Sequence, residues 1–188
     1  MSNKYYLAFK PDQQTEDEVI RLLSLIVDKA APLTITPLDR IHVTTAFLGK
    51  VPEAQAVQVL QACRQVRAFD VHYGGPGHFN KKVVVIKVDR GNALVALNRI
   101  QLTKLAELKG GDPWATRSSI YNPHLTLAKY EGVVDATSAQ VWDAVLRCID
   151  PVDPSKFGKS TVNKLGLYCK STLIEEINLA PQYDRNVS

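Results

Sequence analysis

Apolar positions along the chain recur with periods of two and of about three and a half, and the alternation between these periods predicts the order of elements. Lys4 to Phe9 reads as a first strand, ended by Lys10-Pro11-Asp12. Thr15-x-x-Glu18 has the form of a capping box, and Ile20, Leu23, Ile26 and Val27 form the apolar stripe of the helix it opens. Ala31-Pro32 to Pro37-Leu38 reads as a loop, and a strand closed by Gly49 follows. Pro52-Glu53 opens a second helix, with Ala56, Val59, Leu60, Cys63 and Val66 inward. Phe69 to Tyr73 alternates as a strand, Gly74 to Phe79 reads as a tight Gly-rich loop, and Lys82 to Val88 is a β-branched central strand.

The longest helical pattern runs from Asn92 to Leu108, with Leu94, Leu97, Leu105 and Leu108 on its stripe. Gln101 falls inside that stripe and weakens it. Gly110-Gly111-Asp112-Pro113 stops the helix, and a polar stretch holding Trp114 and Arg117 leads into another strand. Thr137-x-x-Gln140 caps a further helix with Val141, Val145 and Cys148 inward, ended by Pro151 to Pro154. Val162 to Cys169 and Ile174 to Leu179 read as a closing pair of strands, and the tail from Pro181 as frayed. Strand, helix, strand thus occurs twice, the order of an α+β protein whose helices lie outside its sheets.

The second strand of each repeat carries the same pair of polar residues. Ile41-His42-Val43-Thr44-Thr45-Ala46-Phe47 and Pro123-His124-Leu125-Thr126-Leu127-Ala128 each hold a His, one residue, then a Thr. Side chains two apart on a strand point the same way. Alternation places His42, Thr44 and Ala46 on one face, with Val43 and Phe47 on the other; it places His124, Thr126 and Ala128 opposite Leu125 and Leu127. The other two histidines, His72 and His78, lack the Thr and read as surface or loop residues.

Composition narrows the classes without choosing among them. With 188 residues, 45% hydrophobic and 22% charged, the chain is an ordinary globular protein of one domain or two small lobes. A net charge of +4 is compatible with an anionic substrate but does not imply one. No apolar run approaches the roughly 20 residues that span a bilayer, and Met1 to Lys4 leads straight into a strand without a signal-peptide layout. Cys63, Cys148 and Cys169 are odd in number and widely spaced, as in reduced thiols of a cytoplasmic protein. No heptad seam or long exposed apolar strand argues for assembly, so a monomer is expected.

Two imidazoles with hydroxyls beside them suit one kind of chemistry. Opening a cyclic phosphate with water needs a base for the water and an acid for the departing oxygen. Imidazoles titrate near neutral pH and can supply both, one neutral and one protonated. Short hydroxyls such as Thr44 and Thr126 can stabilise the charge that builds on the phosphoryl oxygens. No metal or other cofactor is required, and no dense Asp/Glu/His cluster suggests one.

The two stretches resemble the 2H phosphoesterases, which carry two His-x-Thr/Ser-x motifs. They are most similar to the branch of RNA 2′,3′-cyclic phosphodiesterases, historically called 2′-5′ RNA ligases. His42 to Gly49 and Pro123 to Lys129 carry the likeness; Thr45 departs from it, at a position on the core-facing side where the family has an aliphatic residue. The resemblance implies a single bilobal domain over 1–188, with two pseudo-symmetric lobes, each an antiparallel sheet with outer helices, and an active-site cleft between them. It further implies His42 as general acid on the 3′ oxygen, His124 as general base, an RNA end bearing a 2′,3′-cyclic phosphate as partner, a 2′-phosphate product, and reverse 2′-5′ ligation as a secondary activity. Lys129 stands where relatives have Arg, yet strict alternation puts it opposite the histidines. Among the aromatics Tyr5, Tyr6, Phe79, Trp114 and Tyr121, Phe79 and Tyr121 are the best candidates to stack a base. The same pair of histidines also suits a 2′,5′-linked oligoadenylate or a cyclic nucleotide signal, and a binding module with vestigial catalysis is the remaining alternative.

Overall fold

The computed structural model describes residues 3–27, 33–111, 121–131 and 136–182. Among these residues the chain forms β1 (Lys4–Phe9), α1 (Gln13–Val27), β2 (Leu33–Ile35), β3 (Val43–Lys50), α2 (Glu53–Gln61), β4 (Phe69–Phe79), β5 (Val83–Val88), α3 (Asn92–Leu108), β6 (His124–Tyr130), α4 (Ala136–Ile149), β7 (Lys159–Val162), β8 (Lys164–Cys169) and β9 (Thr172–Asn178). The strands join in the order β7-β4-β5-β6-β3-β1-β8-β9, with β2 also on β6. Every pairing between named strands is antiparallel. The architecture is the expected α+β one.

The sheet has a narrow waist. β3 and β6 share one register pair, Val43 with Leu125, whereas β1 pairs with β3 and β5 with β6 along most of their lengths. On one side of the waist, α2 and α3 pack together over β3, β1 and β8. On the other, α1 and α4 meet, and α1 also touches β2 and the short 3-10 turn Pro154–Phe157. The helix after the first strand of each repeat thus crosses to the far half. Leu7, Leu22, Ile26, Leu60, Leu97, Leu125 and Trp142 are fully buried in one continuous apolar core. No described helix is long and apolar enough to cross a membrane.

Several local expectations are corrected. Asp12, not Thr15, caps α1: its Oδ1 accepts from Thr15 N at 3.0 Å, and its carbonyl accepts from Glu16 N. Thr15 is buried and donates to the Phe157 carbonyl, while Glu18 pairs with Arg21 instead of reaching back. The inward stripe is accordingly Val19, Leu22, Leu23 and Ile26, with Ile20 and Val27 in solvent. Leu33 to Ile35, read as loop, forms the edge strand β2. The Gly-rich segment is not a loop either. β4 runs through it to Phe79 with an irregularity at Tyr73/Pro76, and the reversal falls at Asn80 and Lys81, both with positive φ as a primed turn requires. His78 lies on that strand with its Nδ1 buried, tilted against Trp142, while His72 is exposed. Asp112, Pro113, Trp114 and Arg117, the Ala31-Pro32 start of the loop, the side chain of Thr137 and the tail beyond 182 lie outside the described residues.

Candidate active site

β3 and β6 both break their alternation at the third residue after the histidine. In β3 the register passes from Leu7↔Ala46 to Ala8↔Thr44, leaving Thr45 as an extra residue. In β6 it passes from Val84↔Ala128 to Val85↔Thr126, leaving Leu127 as the extra residue. Each is a β-bulge, which re-aims every side chain beyond it. Thr45 and Ala46 are both buried, as are Leu127 and Ala128. Ala46 and Ala128 therefore leave the histidine face, contrary to strict alternation. Phe47 and Lys129 return to it. Phe47 is 60% exposed rather than core-facing, and Lys129 joins His124 and Thr126.

The result is one cleft of about 430 Å³, lined by His42, Thr44, His124, Thr126 and Lys129 together with Tyr6, Arg40, Glu131 and Lys170. The two imidazoles are held in the same way. His42 Nδ1 lies 2.7 Å from the Arg40 carbonyl, and His124 Nδ1 lies 2.8 Å from the Asn122 carbonyl. A carbonyl only accepts, so Nδ1 carries the proton in each ring and Nε2 is left to exchange one. Both bonds reach back two residues, a second local element that the repeats share.

Burial and neighbouring charge act on the His42 ring. His42 is lowered from the usual imidazole value, chiefly by burial, opposed by its bond to the Arg40 carbonyl and reinforced by the charges of His124, Lys10 and Lys129. Neighbouring rings differ. Tyr6 and Tyr168 stack on His42, with centroids at 4.9 and 5.9 Å, whereas Phe79 meets His124 edge-on at 4.9 Å. Phe79 is thus beside a histidine. Tyr121 is behind the site: its hydroxyl donates to the Thr44 carbonyl at 3.2 Å, tying the residues before β6 to β3, and burial raises its pKa. Lys129→Ala is expected to raise KM for a phosphodiester by several-fold, in a salt-dependent manner. Removing its charge also raises the His42 pKa, so the limb of the pH–rate profile set by His42 moves to higher pH. A KM that is insensitive to salt in both proteins would remove Lys129 from substrate binding.

Two polar residues that interrupt the sequence patterns find each other behind the cleft. Gln101 of α3 is fully buried, and its Nε2 donates to Thr45 Oγ1 at 2.9 Å. Thr45 Oγ1 donates in turn to the Leu7 carbonyl at 3.1 Å, and Asn98 Nδ2 donates to the Thr45 carbonyl at 2.6 Å. The bulge of β3 is therefore pinned from α3. The departure at Thr45 and the gap in the α3 stripe are one feature, visible in the sequence only as two separate anomalies. Thr45→Val leaves a buried amide without this acceptor and is expected to cost about 1–3 kcal/mol. The pair Thr45→Val with Gln101→Leu recovers most of that loss, as measured by urea unfolding in a double-mutant cycle. Additive losses would show that the two side chains act independently.

Among the described residues no three His, Cys, Asp or Glu side chains gather as a metal site. Cys63, Cys148 and Cys169 are free thiols that do not line the cleft, and burial pushes the Cys63 thiol up to about 11.

Known proteins resemble this chain in sequence family and in fold. Residues 36–168 match the family described as the 2′-5′ RNA ligase superfamily. A protein of Aquifex aeolicus (strain VF5), named RNA 2′,3′-cyclic phosphodiesterase, is 27% identical over 158 residues, covering 75% of this chain and 79% of the relative. A crystal structure of a protein from Thermus thermophilus superposes with a TM-score of 0.70 at 17% identity, covering 96% of this chain and 100% of that one. Escherichia coli LigT in its apo form gives 0.65 at 18% identity, covering 96% and 99%.

Proposed function

Because this chain belongs to the 2′-5′ RNA ligase superfamily, an enzyme family of phosphodiester chemistry, we propose that it hydrolyses RNA ends bearing a 2′,3′-cyclic phosphate to 2′-phosphates. The two histidines exchange the protons, no metal takes part, and 2′-5′ joining is the reverse reaction. The observation that supports this reading is the matched pair of imidazoles, each fixed through Nδ1 to a carbonyl two residues back and each opening on the same cleft. Nε2 of one ring takes the proton of the attacking water. Nε2 of the other gives a proton to the departing ribose oxygen. Following the family resemblance, His124 is the base and His42 the acid on the 3′ oxygen. Thr44 and Thr126 bind the phosphoryl oxygens, with Lys129 as a point charge nearby. The two halves act as one bilobal unit over 1–188.

The test is turnover of a nucleoside 2′,3′-cyclic phosphate in the presence of a chelator, with the product assigned by phosphorus NMR. A 2′-phosphate product is expected. Cleavage of a 2′,5′-linked dinucleotide, with the cyclic phosphate untouched, would replace this substrate by a linear one. Turnover abolished by the chelator would end the metal-independent reading.

A further inference from the structure

The two His-x-Thr motifs meet at one point. The single register pair between β3 and β6 joins Val43 to Leu125, the middle residue of one motif to the middle residue of the other. Both are fully buried. The strands are antiparallel, so one step along β3 from this pair stands Thr44, on the side where β6 has His124. Among the described residues no further register pair joins the two strands.

The two sides of this point are closed in different ways. Along β6, past the pair, β2 takes the place of β3, and Thr36 N donates to the Leu127 carbonyl at 2.8 Å. The bulge of β6 is therefore closed by backbone. β3 has no second strand on that edge; β1 pairs with its other edge, where Ala8 meets Thr44. Side chains do the work of the missing strand. Tyr121 donates its hydroxyl to the Thr44 carbonyl at 3.2 Å, and Asn98 of α3 takes the next carbonyl, that of Thr45. A carbonyl kept from water needs such a donor.

Tyr121 also stands at a particular place in the chain. The residue after it, Asn122, supplies the carbonyl that orients His124 through Nδ1. Two consecutive residues thus hold one group from each motif: Asn122 the imidazole of the second, Tyr121 the Thr44 peptide of the first. The Thr44 side chain leaves the same Cα that carries the held carbonyl, and it lines the cleft with His124. We propose that Tyr121 is a positioning residue for the reaction, holding the Thr44 hydroxyl in register with His124 across the gap where β3 and β6 no longer pair. A hydroxyl that stabilises a transition state must be fixed in place before the charge develops, and small displacements are costly. This role rests on the cyclic-phosphodiesterase reading for the reaction it serves.

The test is a double-mutant cycle on turnover in the full chain, with Tyr121→Phe, Thr44→Val and the two combined. Phenylalanine keeps the ring and removes only the hydroxyl. Both kcat and KM are measured on a nucleoside 2′,3′-cyclic phosphate, or on a 2′,5′-linked dinucleotide if that is the one turned over. Each rate is divided by the folded fraction read from urea unfolding, so a loss of stability does not pass for a loss of catalysis. Tyr121→Phe is expected to lower kcat about tenfold at nearly constant KM, and to have no further effect once Thr44 is valine. An unchanged kcat in Tyr121→Phe overturns the positioning role and leaves the activity standing, as does a change confined to KM. The same loss with Thr44 and with valine in its place also overturns it, because Tyr121 then acts on something other than the Thr44 hydroxyl. A wild type that turns over neither substrate removes the phosphodiesterase reading and the positioning role with it.

Discussion

His42→Ala and His124→Ala should each lower turnover of a nucleoside 2′,3′-cyclic phosphate by about 10²–10⁴-fold, and the double variant should be little worse than the poorer single one. On the proposed mechanism each ring supplies one of two proton transfers in the same transition state, so removing either forfeits most of what the pair provides. Which ring is the acid can be read from pH. Burial and the charges of His124, Lys10 and Lys129 push His42 toward its neutral form, outweighing its bond to the Arg40 carbonyl. A bound phosphodiester is an anion and pushes the same pKa back up. The profile of kcat/KM reports free protein, and that of kcat reports the complex. If His42 is the acid, activity falls as it loses its proton, so the basic limb of kcat lies at higher pH than that of kcat/KM. If His42 is the base, the acidic limb shifts upward instead. A phosphodiester with an activated leaving group gives an independent answer, since it needs no acid. His42→Ala should then keep most of its activity on that substrate, whereas His124→Ala should not. The reverse pattern would exchange the two roles.

The elements that bear the histidines are legible in the sequence because the evidence for them is local. Two His-x-Thr repeats within β-branched and apolar runs specify two strands and the face each shows. The α+β order follows from the change of period between segments. What the pattern hides are the places where a tertiary contact overrides alternation. Counting by twos turns Lys129 away from the site, but that count is right only for a regular ladder, and the bulge at Leu127 adds one residue. Phe47 changes faces for the same reason at Thr45. Nothing in an isolated strand marks the second bulge; the nearest signal for the first is the conjunction of a polar Thr45 with a polar Gln101, 56 positions away in sequence. Thr15 has the spacing of a cap, but Asp12, a better acceptor, precedes it, and its own hydroxyl is taken by Phe157, 142 residues later. The stacked pair Tyr6 and Tyr168 is out of reach of the sequence altogether, since it depends on β1 and β8 being neighbours and on Gly166 leaving room.

Removing the hydroxyls should be nearly as costly as removing a ring. Thr44→Val and Thr126→Val keep the shape and the strand preference of the side chain and delete one polar atom. Both residues line the cleft with the two histidines, two positions beyond a histidine and before the bulge. Charge on the phosphoryl oxygens grows as water adds, and a donor fixed at that point is worth more in the transition state than in the ground state. Each valine is therefore expected to lower kcat about 10²–10³-fold with a smaller change in KM. Thr→Ser at either position should restore much of the rate, because the hydroxyl returns while only the methyl is lost. A rise in KM at unchanged kcat would show that the hydroxyls merely hold the substrate, and the stabilising donors would have to be sought elsewhere in the cleft, with Lys129 first among them.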